Sequence, residues 1–207
     1  MSQELYYVVQ YTGPFGYIKP WTAVRDSETF SQQFLTPSIL CGMERKLFPE
    51  LLGEPFGIFR IATHRLSYSG LSSQQEQTQP RGWNKRAKHL ERPRAILTRG
   101  VMLNPVLTLA FRERDYAEEA ARQHLCLCRN EDIVLPDPLI QTIQATAFDE
   151  SPFDGFELVF ADTDQSFVVG YNRFDDGQVM KGWLKIVGNP VGPRSVGPRS
   201  AETSASL

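Results

Sequence analysis

Basic and aromatic side chains that could bind a polyanion are concentrated between residues 81 and 99. This stretch contains seven basic residues, and Glu91 is its only acidic one. Cations at this density repel one another unless a polyanion neutralises them, and a ring among them offers a face for a base. The stretch therefore predicts a surface for single-stranded RNA. The predicted contacts are Arg81, Trp83, Lys85, Arg86, Lys88, Arg92, Arg94 and Arg99.

A second candidate for phosphate binding is the loop and helix start between residues 15 and 38. Thr36 followed by Pro37 is typical of a helix N-terminus, where unpaired N–H groups and the helix dipole attract a phosphate. Taken alone, these residues slightly favour a plainer interpretation, a capped helix that follows an aromatic loop packed on the core. The candidate contacts are Lys19, Trp21, Arg25, Thr36 and Ser38.

Catalytic motifs are sparse in the sequence. The pair Lys88-His89 has the residue types for metal-independent RNA cleavage, because a neutral imidazole can take the proton of a 2′-hydroxyl group. The sequence contains no phosphate-binding glycine loop, no nucleophile elbow and no His-x-x-x-His pair. His124, Cys126 and Cys128 lack a second pair of zinc ligands, and the alternation of the cysteines with leucine predicts a strand instead. We therefore expect no metal and no cofactor.

Composition indicates an ordinary folded chain with an uneven charge distribution. The 207 residues are 41% hydrophobic and 22% charged, which is enough to bury a core. The net charge is −2, but residues 130–180 contain eleven acidic residues and one arginine, so we expect a basic surface on an acidic body. An odd number of cysteines, no apolar stretch of membrane-spanning length and no signal peptide favour the cytoplasm and no membrane contact.

The order of the predicted elements indicates an α+β fold. Residues 4–12 are β-branched and aromatic and end at Gly13-Pro14, which predicts a first strand. A helix follows to about residue 52, and Gln-rich residues after the second strand predict a long loop or an extended hairpin. Strand–helix–strand–strand–helix–strand is the order of the ferredoxin-like fold of many RNA-recognition modules. The later elements are predicted at 56–63 (strand), 101–111 (strand), 112–124 (helix), and 156–161, 166–172 and 178–187 (strands).

Three stretches near the N-terminus resemble the opening of the Cas-five family, RAMP-superfamily subunits of type I CRISPR effector complexes. They are residues 5–15 (Leu-Tyr-Tyr-Val-Val-Gln-Tyr-Thr-Gly-Pro-Phe), the spacing Arg25-x3-Thr29, and residues 34–43 (Phe-Leu-Thr-Pro-Ser-Ile-Leu-Cys-Gly-Met).

Two later stretches and two departures complete this resemblance, which covers roughly the first 115 residues. Residues 65–71 resemble the stretch before the protruding hairpin, or thumb, of the family, and residues 94–110 resemble its return strand. Only Arg129 stands where the family often has a Gly-Arg-Arg/Lys segment, and the glycine-rich loop of RAMP proteins is not evident.

The resemblance implies a non-catalytic subunit that caps one end of the complex and holds the 5′ handle of the crRNA. Arg25, Thr36 and Ser38 would hold handle phosphates with Lys19 and Trp21 nearby, and the thumb cations would grip the RNA. The implied partners are a backbone subunit of the Cas-seven type, the large subunit, and target DNA near its flanking motif. Two alternatives remain open. One is a metal-independent endoribonuclease that processes precursor crRNA through Lys88 and His89, and the other is a generic single-stranded RNA-binding protein of the RRM type.

The predicted organisation has three parts. Residues 1–128 form a ferredoxin-like (RRM/RAMP) domain with a long β-hairpin thumb inserted at about 66–99. Residues 129–188 form a small β-rich C-terminal part. Residues 189–207 contain a duplicated Val-Gly-Pro-Arg-Ser and are too polar to pack, which predicts a disordered tail.

Overall fold

The computed structural model describes residues 4–20, 27–78, 82–92, 94–149, 153–172 and 176–193, and of Arg86 it describes the backbone. The predicted contacts Trp21, Arg25 and Arg81 lie outside the described residues, and so does the predicted tail from residue 194 onward.

Within these residues the chain forms two α helices and fifteen strands, which confirms the predicted α+β class. Helix α1 spans Pro37–Leu47 and helix α2 spans Arg114–Ala120. The strands are β1 (Leu5–Thr12), β2 (Phe15–Gly16), β3 (Glu28–Phe30), β4 (Ile61–Ser67), β5 (Gly70–Thr78), β6 (Asn84–Arg86), β7 (His89–Glu91), β8 (Ala95–Leu103), β9 (Val106–Phe111), β10 (Leu125–Cys126), β11 (Ile133–Pro136), β12 (Gln141–Gln144), β13 (Gly155–Val159), β14 (Phe167–Asn172) and β15 (Gln178–Val187).

The predicted ends of both helices are wrong. Helix α1 stops at Leu47 rather than near residue 52, because Pro49 has no N–H to continue an α helix and begins a short 3₁₀ helix instead. Helix α2 is shorter than the predicted 112–124 at both ends, since extended backbone at Glu113 precedes it and the residues after Ala121 form a turn.

Two predicted strands are also corrected. The strand predicted at 56–63 begins only at Ile61, because the buried Glu44 carboxylate accepts hydrogen bonds from the N–H groups of residues 59–61 and holds the preceding residues in a loop. The strand predicted at 101–111 is two strands, β8 and β9, which a turn at Asn104 with φ of 47° separates. The chain therefore leaves the body through β5 and returns through β8.

The body of the protein is a nine-stranded sheet. Its strand order is β10-β11-β1-β9-β4-β13-β15-β14, and β12 also pairs with β1. The four middle strands run β12-β1-β9-β4, all antiparallel to their neighbours, with α1 between β1 and β4 in the chain and α2 between β9 and β12.

Alternation along the middle strands creates two apolar layers. On one face, Val9, Leu109 and Phe111 pack in the main core with Leu40 and Leu47 of α1. On the other face, a smaller cluster is formed by Val8, Ala110, Phe148 and Phe153. The sheet is therefore covered on both faces and forms a rigid base for what projects from it.

A second sheet carries the long hairpin. Strand β8 lies at its centre, with β5 along one edge and β2 and β3 along the other. We call residues 70–103 the thumb hairpin. At the base of this hairpin, the Tyr68 N–H donates to the Pro190 carbonyl (3.0 Å) and the Gly192 N–H donates to the Tyr68 carbonyl (3.2 Å). The described first residues of the segment predicted as a disordered tail are therefore hydrogen-bonded to the body.

Candidate nucleic-acid interface

The thumb hairpin carries most of the predicted RNA-binding cations. Nine registered pairs join Gly70–Thr78 to Ala95–Leu103, which corresponds to about 30 Å at the rise of a β-strand. Beyond these pairs, β6 and β7 form a smaller hairpin with Ala87 and Lys88 in its turn. We call residues 82–94 the tip.

The tip presents charged side chains to solvent. Lys85, Lys88 and Arg94 are exposed, as is His89. In the part of the chain that the structure describes, these four side chains form no ion pair or hydrogen bond. Among the described residues no acidic side chain pairs with Lys85, Lys88 or Arg94, so phosphates that bind these cations would do so with a gain from counterion release.

Trp83 supplies an aromatic surface at the same place. Its side chain is 57% exposed, and the Arg92 guanidinium lies 4.8 Å from the centre of its ring. The cation covers part of the indole and leaves the rest open. A ring and a guanidinium plane stacked in this way can bind a nucleobase and its phosphate together.

Arg99 and Arg129 converge on Tyr17 at the base of the thumb hairpin. Their guanidinium carbons lie 5.8 and 5.4 Å from the centre of the ring. Burial raises the pKa of the Tyr17 hydroxyl, and the two cations oppose that effect. Asp132 holds Arg129 by two hydrogen bonds of 2.8 and 2.7 Å, and Glu76 lies 3.6 Å from Arg99. Both cations are therefore partly neutralised, unlike Lys85, Lys88 and Arg94 of the tip.

Arg129 is a basic residue of this region that we did not predict as a contact. In the sequence it stands alone among acidic residues, and nothing local connects it with Tyr17 or Arg99. The connection arises because β11 contacts β2, which pairs with the end of β8 at the base of the thumb hairpin.

The start of α1 offers fewer donors than the sequence predicts. Thr36 is the N-cap residue, but it is buried and its hydroxyl makes no capping hydrogen bond. Pro37 contributes no N–H, and the N–H groups of Ile39 and Leu40 both donate to the Thr36 carbonyl at 3.0 Å. Ser38 is exposed, and its N–H and hydroxyl are the groups of the first turn left for a phosphate among the described residues.

Lys19 is exposed on a loop that the sheet holds against the thumb hairpin. The Ile18 N–H donates to Ser31 Oγ (2.9 Å), and the Gln32 N–H donates to the Ile18 carbonyl (2.8 Å). Strand β2, just before this loop, pairs with the end of β8. Lys19 therefore lies near the base of the thumb hairpin, and the predicted contacts of the tip form a separate group.

The three histidines differ in environment. His64 is buried and stacks on Phe160, with ring centres 6.2 Å apart. Burial lowers the pKa of His64 to about 3, with a smaller effect from the Arg65 charge, so the ring is neutral and enclosed. His89 is exposed beside Lys88 at the tip, and His124 is exposed on the body.

No group of three or more His, Cys, Asp or Glu side chains in the described ranges is arranged to hold a metal ion. None of the helices in those ranges is long and apolar enough to cross a membrane.

No family model and no curated protein matches the sequence. The structure is similar to a chain of a solved CRISPR RNA-guided surveillance complex, with a TM-score of 0.55 and 14% sequence identity over 92% of this chain and 95% of that chain. A solved Cas protein matches with a TM-score of 0.43 and 15% identity over 91% and 98% of the two chains. The first likeness shows a fold shared over nearly the full length of both chains.

Proposed function

We propose that this chain is a Cas-five-type subunit of a type I CRISPR surveillance complex, which binds the 5′ handle of the crRNA without cutting it. The observation that carries the proposal is the tip, where Lys85, Lys88 and Arg94 lie exposed on the same small hairpin as Trp83. Such a combination provides charge for phosphates and a ring for a base. The fold shared with a chain of a CRISPR RNA-guided surveillance complex supports the assignment.

The topology of the body supports the RAMP part of the proposal. The order β12-β1-β9-β4, with one helix after the first strand and one after the third, is the order expected of a ferredoxin-like βαββαβ unit. In this assignment β5 to β8 form the thumb as an insertion between the second and third strands of the unit.

The proposal assigns partners by position. The thumb hairpin would lie against the crRNA and a backbone subunit of the Cas-seven type. The large subunit and target DNA near its flanking motif would contact the body, and the assembly would operate in the cytoplasm. Arg25 and Ser38 would hold handle phosphates, with Lys19 and Trp21 nearby, and the buried Thr36 would contribute mainly as the N-cap residue at which α1 begins.

The test is the salt dependence of RNA binding. A variant with Lys85, Lys88, Arg92 and Arg94 replaced by Ala should bind labelled handle RNA more weakly than the unsubstituted chain. Each lost phosphate contact should also reduce the slope of log K against log salt by ~0.7, a total of about 3. Fluorescence anisotropy over a salt series measures both quantities.

A matched control removes four exposed cations of the body: Lys46, Arg114, Arg122 and Lys181. It changes the net charge by the same amount, so a purely global charge effect would weaken binding equally in both variants. Equal losses of RNA affinity in the two variants would contradict the assignment of the thumb hairpin as the RNA-binding element.

A cleaving relative is the second candidate, and the exposure of His89 beside Lys88 favours it. In this alternative, the imidazole takes the proton of a 2′-hydroxyl, whose oxygen then bonds to the adjacent phosphorus without metal. The bond from phosphorus to the 5′-oxygen breaks, the 5′-oxygen takes up a proton, and a 2′,3′-cyclic phosphate remains. Incubation of the chain with precursor repeat RNA in EDTA decides between the two. Cleavage that His89→Ala abolishes would replace the non-catalytic proposal.

A further inference from the structure

One face of the thumb hairpin has no charged side chain on β5 or β8. Registered partners in antiparallel strands share a face, and every second residue returns to it. Arg99 and Glu76 lie on the opposite face. We call this surface the neutral face, and its residues are Leu71, Ser73, Gln75 and Gln77 of β5 with Ile96, Thr98 and Gly100 of β8. Met102, the next residue of β8 on this side, is fully buried in the main core and ends the surface at the body.

Phe30 of β3 lies over the middle of the neutral face. It is paired with Gly100, and a Cβ added to Gly100 would stand only 2.1 Å from Phe30 Cδ1. Glycine is therefore the residue that lets the ring lie against the backbone of β8. Phe30 is nevertheless 50% exposed, so the ring is held in place and still presents much of its surface to solvent.

Glu28 accompanies the ring. It precedes Phe30 by two residues on the same strand, about 7 Å away, and it is exposed opposite Thr98. A carboxylate repels phosphate, but it accepts a hydrogen bond from the exocyclic amino group of a base. The amides of Gln75 and Gln77 and the Ser73 hydroxyl face the same side and can bond to base edges.

We propose that the neutral face binds an unpaired RNA base that carries an exocyclic amino group, with Phe30 as the stacking platform and Glu28 as the hydrogen-bond acceptor. The inference rests on the proposed RNA-binding function and adds a base site to the phosphate grip. RNA is the favoured occupant, because an RNA strand bound by the tip cations can continue along the thumb hairpin to Phe30. Aromatic stacking with polar side chains on base edges is how unpaired bases are recognised.

The experiment compares homopolymers of about twelve nucleotides on the full chain. Oligo(A), oligo(C), oligo(U) and an abasic ribose-phosphate oligomer of the same length are titrated by anisotropy. Phe30→Ala should weaken oligo(A) binding about tenfold, leave the abasic oligomer unchanged, and be rescued by Phe30→Trp. Glu28→Ala should reduce the preference for oligo(A) and oligo(C) over oligo(U).

Two further variants separate stacking from general effects. Phe59 is also 50% exposed but lies on the body, so Phe59→Ala should leave oligo(A) binding unchanged. Gly100→Ala should weaken oligo(A) binding, because the new methyl group displaces the Phe30 ring.

The outcomes are distinguishable. The base site is overturned if Phe30→Ala binds oligo(A) as well as Phe59→Ala does. It is also overturned if the affinity of Phe30→Ala for the abasic oligomer falls as much as its affinity for oligo(A). If Phe30→Ala keeps RNA binding but no longer co-purifies with other subunits of the complex, a protein covers the face and the inference also falls. If the unsubstituted chain binds none of the oligomers, the RNA-binding function fails together with it.

Discussion

The body and the tip of the thumb hairpin accommodate cations in opposite ways. Arg65 of β4 is fully buried, where its guanidinium pairs with Glu157 and Asp149 and lies 4.6 Å from the centre of the Phe148 ring. Lys85 and Lys88 of the tip are exposed and have no ion pair among the described residues. A buried charge needs protein partners, whereas an exposed one can exchange solvent ions for phosphates.

The acidic partners of Arg65 form further contacts within the body. Asp149 also forms an ion pair with Lys185 (2.6 Å), and Glu157 accepts a hydrogen bond from the Thr63 hydroxyl. These contacts join β4 to β13, β15 and the short 3₁₀ helix Ala145–Asp149. Part of the acidic stretch between residues 130 and 180 therefore pairs with cations inside the body, whereas Lys85 and Lys88 of the tip are left exposed to solvent.

The largest expected effect in this comparison is the loss of Arg65. Arg65→Ala leaves the mostly buried Glu157 without its cation, whereas Asp149 is half exposed and keeps Lys185. The variant should lower the free energy of unfolding by about 3–5 kcal/mol. Urea denaturation followed by circular dichroism measures this change. Loss of RNA binding in the same variant should follow only the fraction that is unfolded.

An exposed ion pair of the body provides the control for Arg65. Arg114 pairs with Glu118 one helical turn away, and both side chains are open to solvent. Arg114→Ala should leave the urea midpoint almost unchanged, because surface pairs contribute little. A loss as large as that of Arg65→Ala would mean that burial does not distinguish the two sites.

The second effect is a pH dependence that distinguishes His64 from His89. The pKa of His64 is lowered from 6.5 to about 3 in the folded chain by burial. The unfolded chain therefore binds a proton that the folded chain does not, and stability falls as pH decreases from about 6.5 toward 3. The loss between pH 7 and pH 5 should be about 2 kcal/mol.

Substitution shows which histidine causes this pH dependence. His64→Leu should remove about 2 kcal/mol of the difference in unfolding free energy between pH 7 and pH 5, measured by urea denaturation at both values. His89→Ala, at the exposed tip, should keep the difference intact. An identical pH dependence in all three proteins would contradict the enclosed, neutral state of His64.

The cluster of cations at the tip could be recognised in the sequence, and the buried ion pairs of the body could not, for a physical reason. The tip cations are neighbours in the chain, so their number and the presence of Trp83 could be read locally. Arg65 and Glu44 could not be interpreted in that way, since their partners come from distant segments that only the fold brings together. No local sequence pattern marks Phe30 as a site residue, and the role of Gly100 follows only from the register of β3 with β8.

The order of elements was predictable in a similar way, and their ends were not. Alternating strands and the Thr36-Pro37 helix start are local signals, and they gave the α+β class. The true start of β4 depends on the Glu44 carboxylate, a tertiary contact. The division of residues 95–111 into a thumb strand and a body strand depends on a turn at Asn104 inside a continuous run of strand-forming residues.

The smallest expected effect on stability is that of single substitutions at the tip, which should nevertheless weaken RNA binding. Lys85→Ala and Lys88→Ala remove exposed charges, so each should leave the midpoint of thermal unfolding within about 2 °C. Each should nevertheless weaken handle-RNA binding and lower its salt slope by ~0.7. If these variants instead unfolded as readily as Arg65→Ala, the tip would be part of the folded core, and a surface that is free to exchange solvent ions for RNA could not be assigned to it.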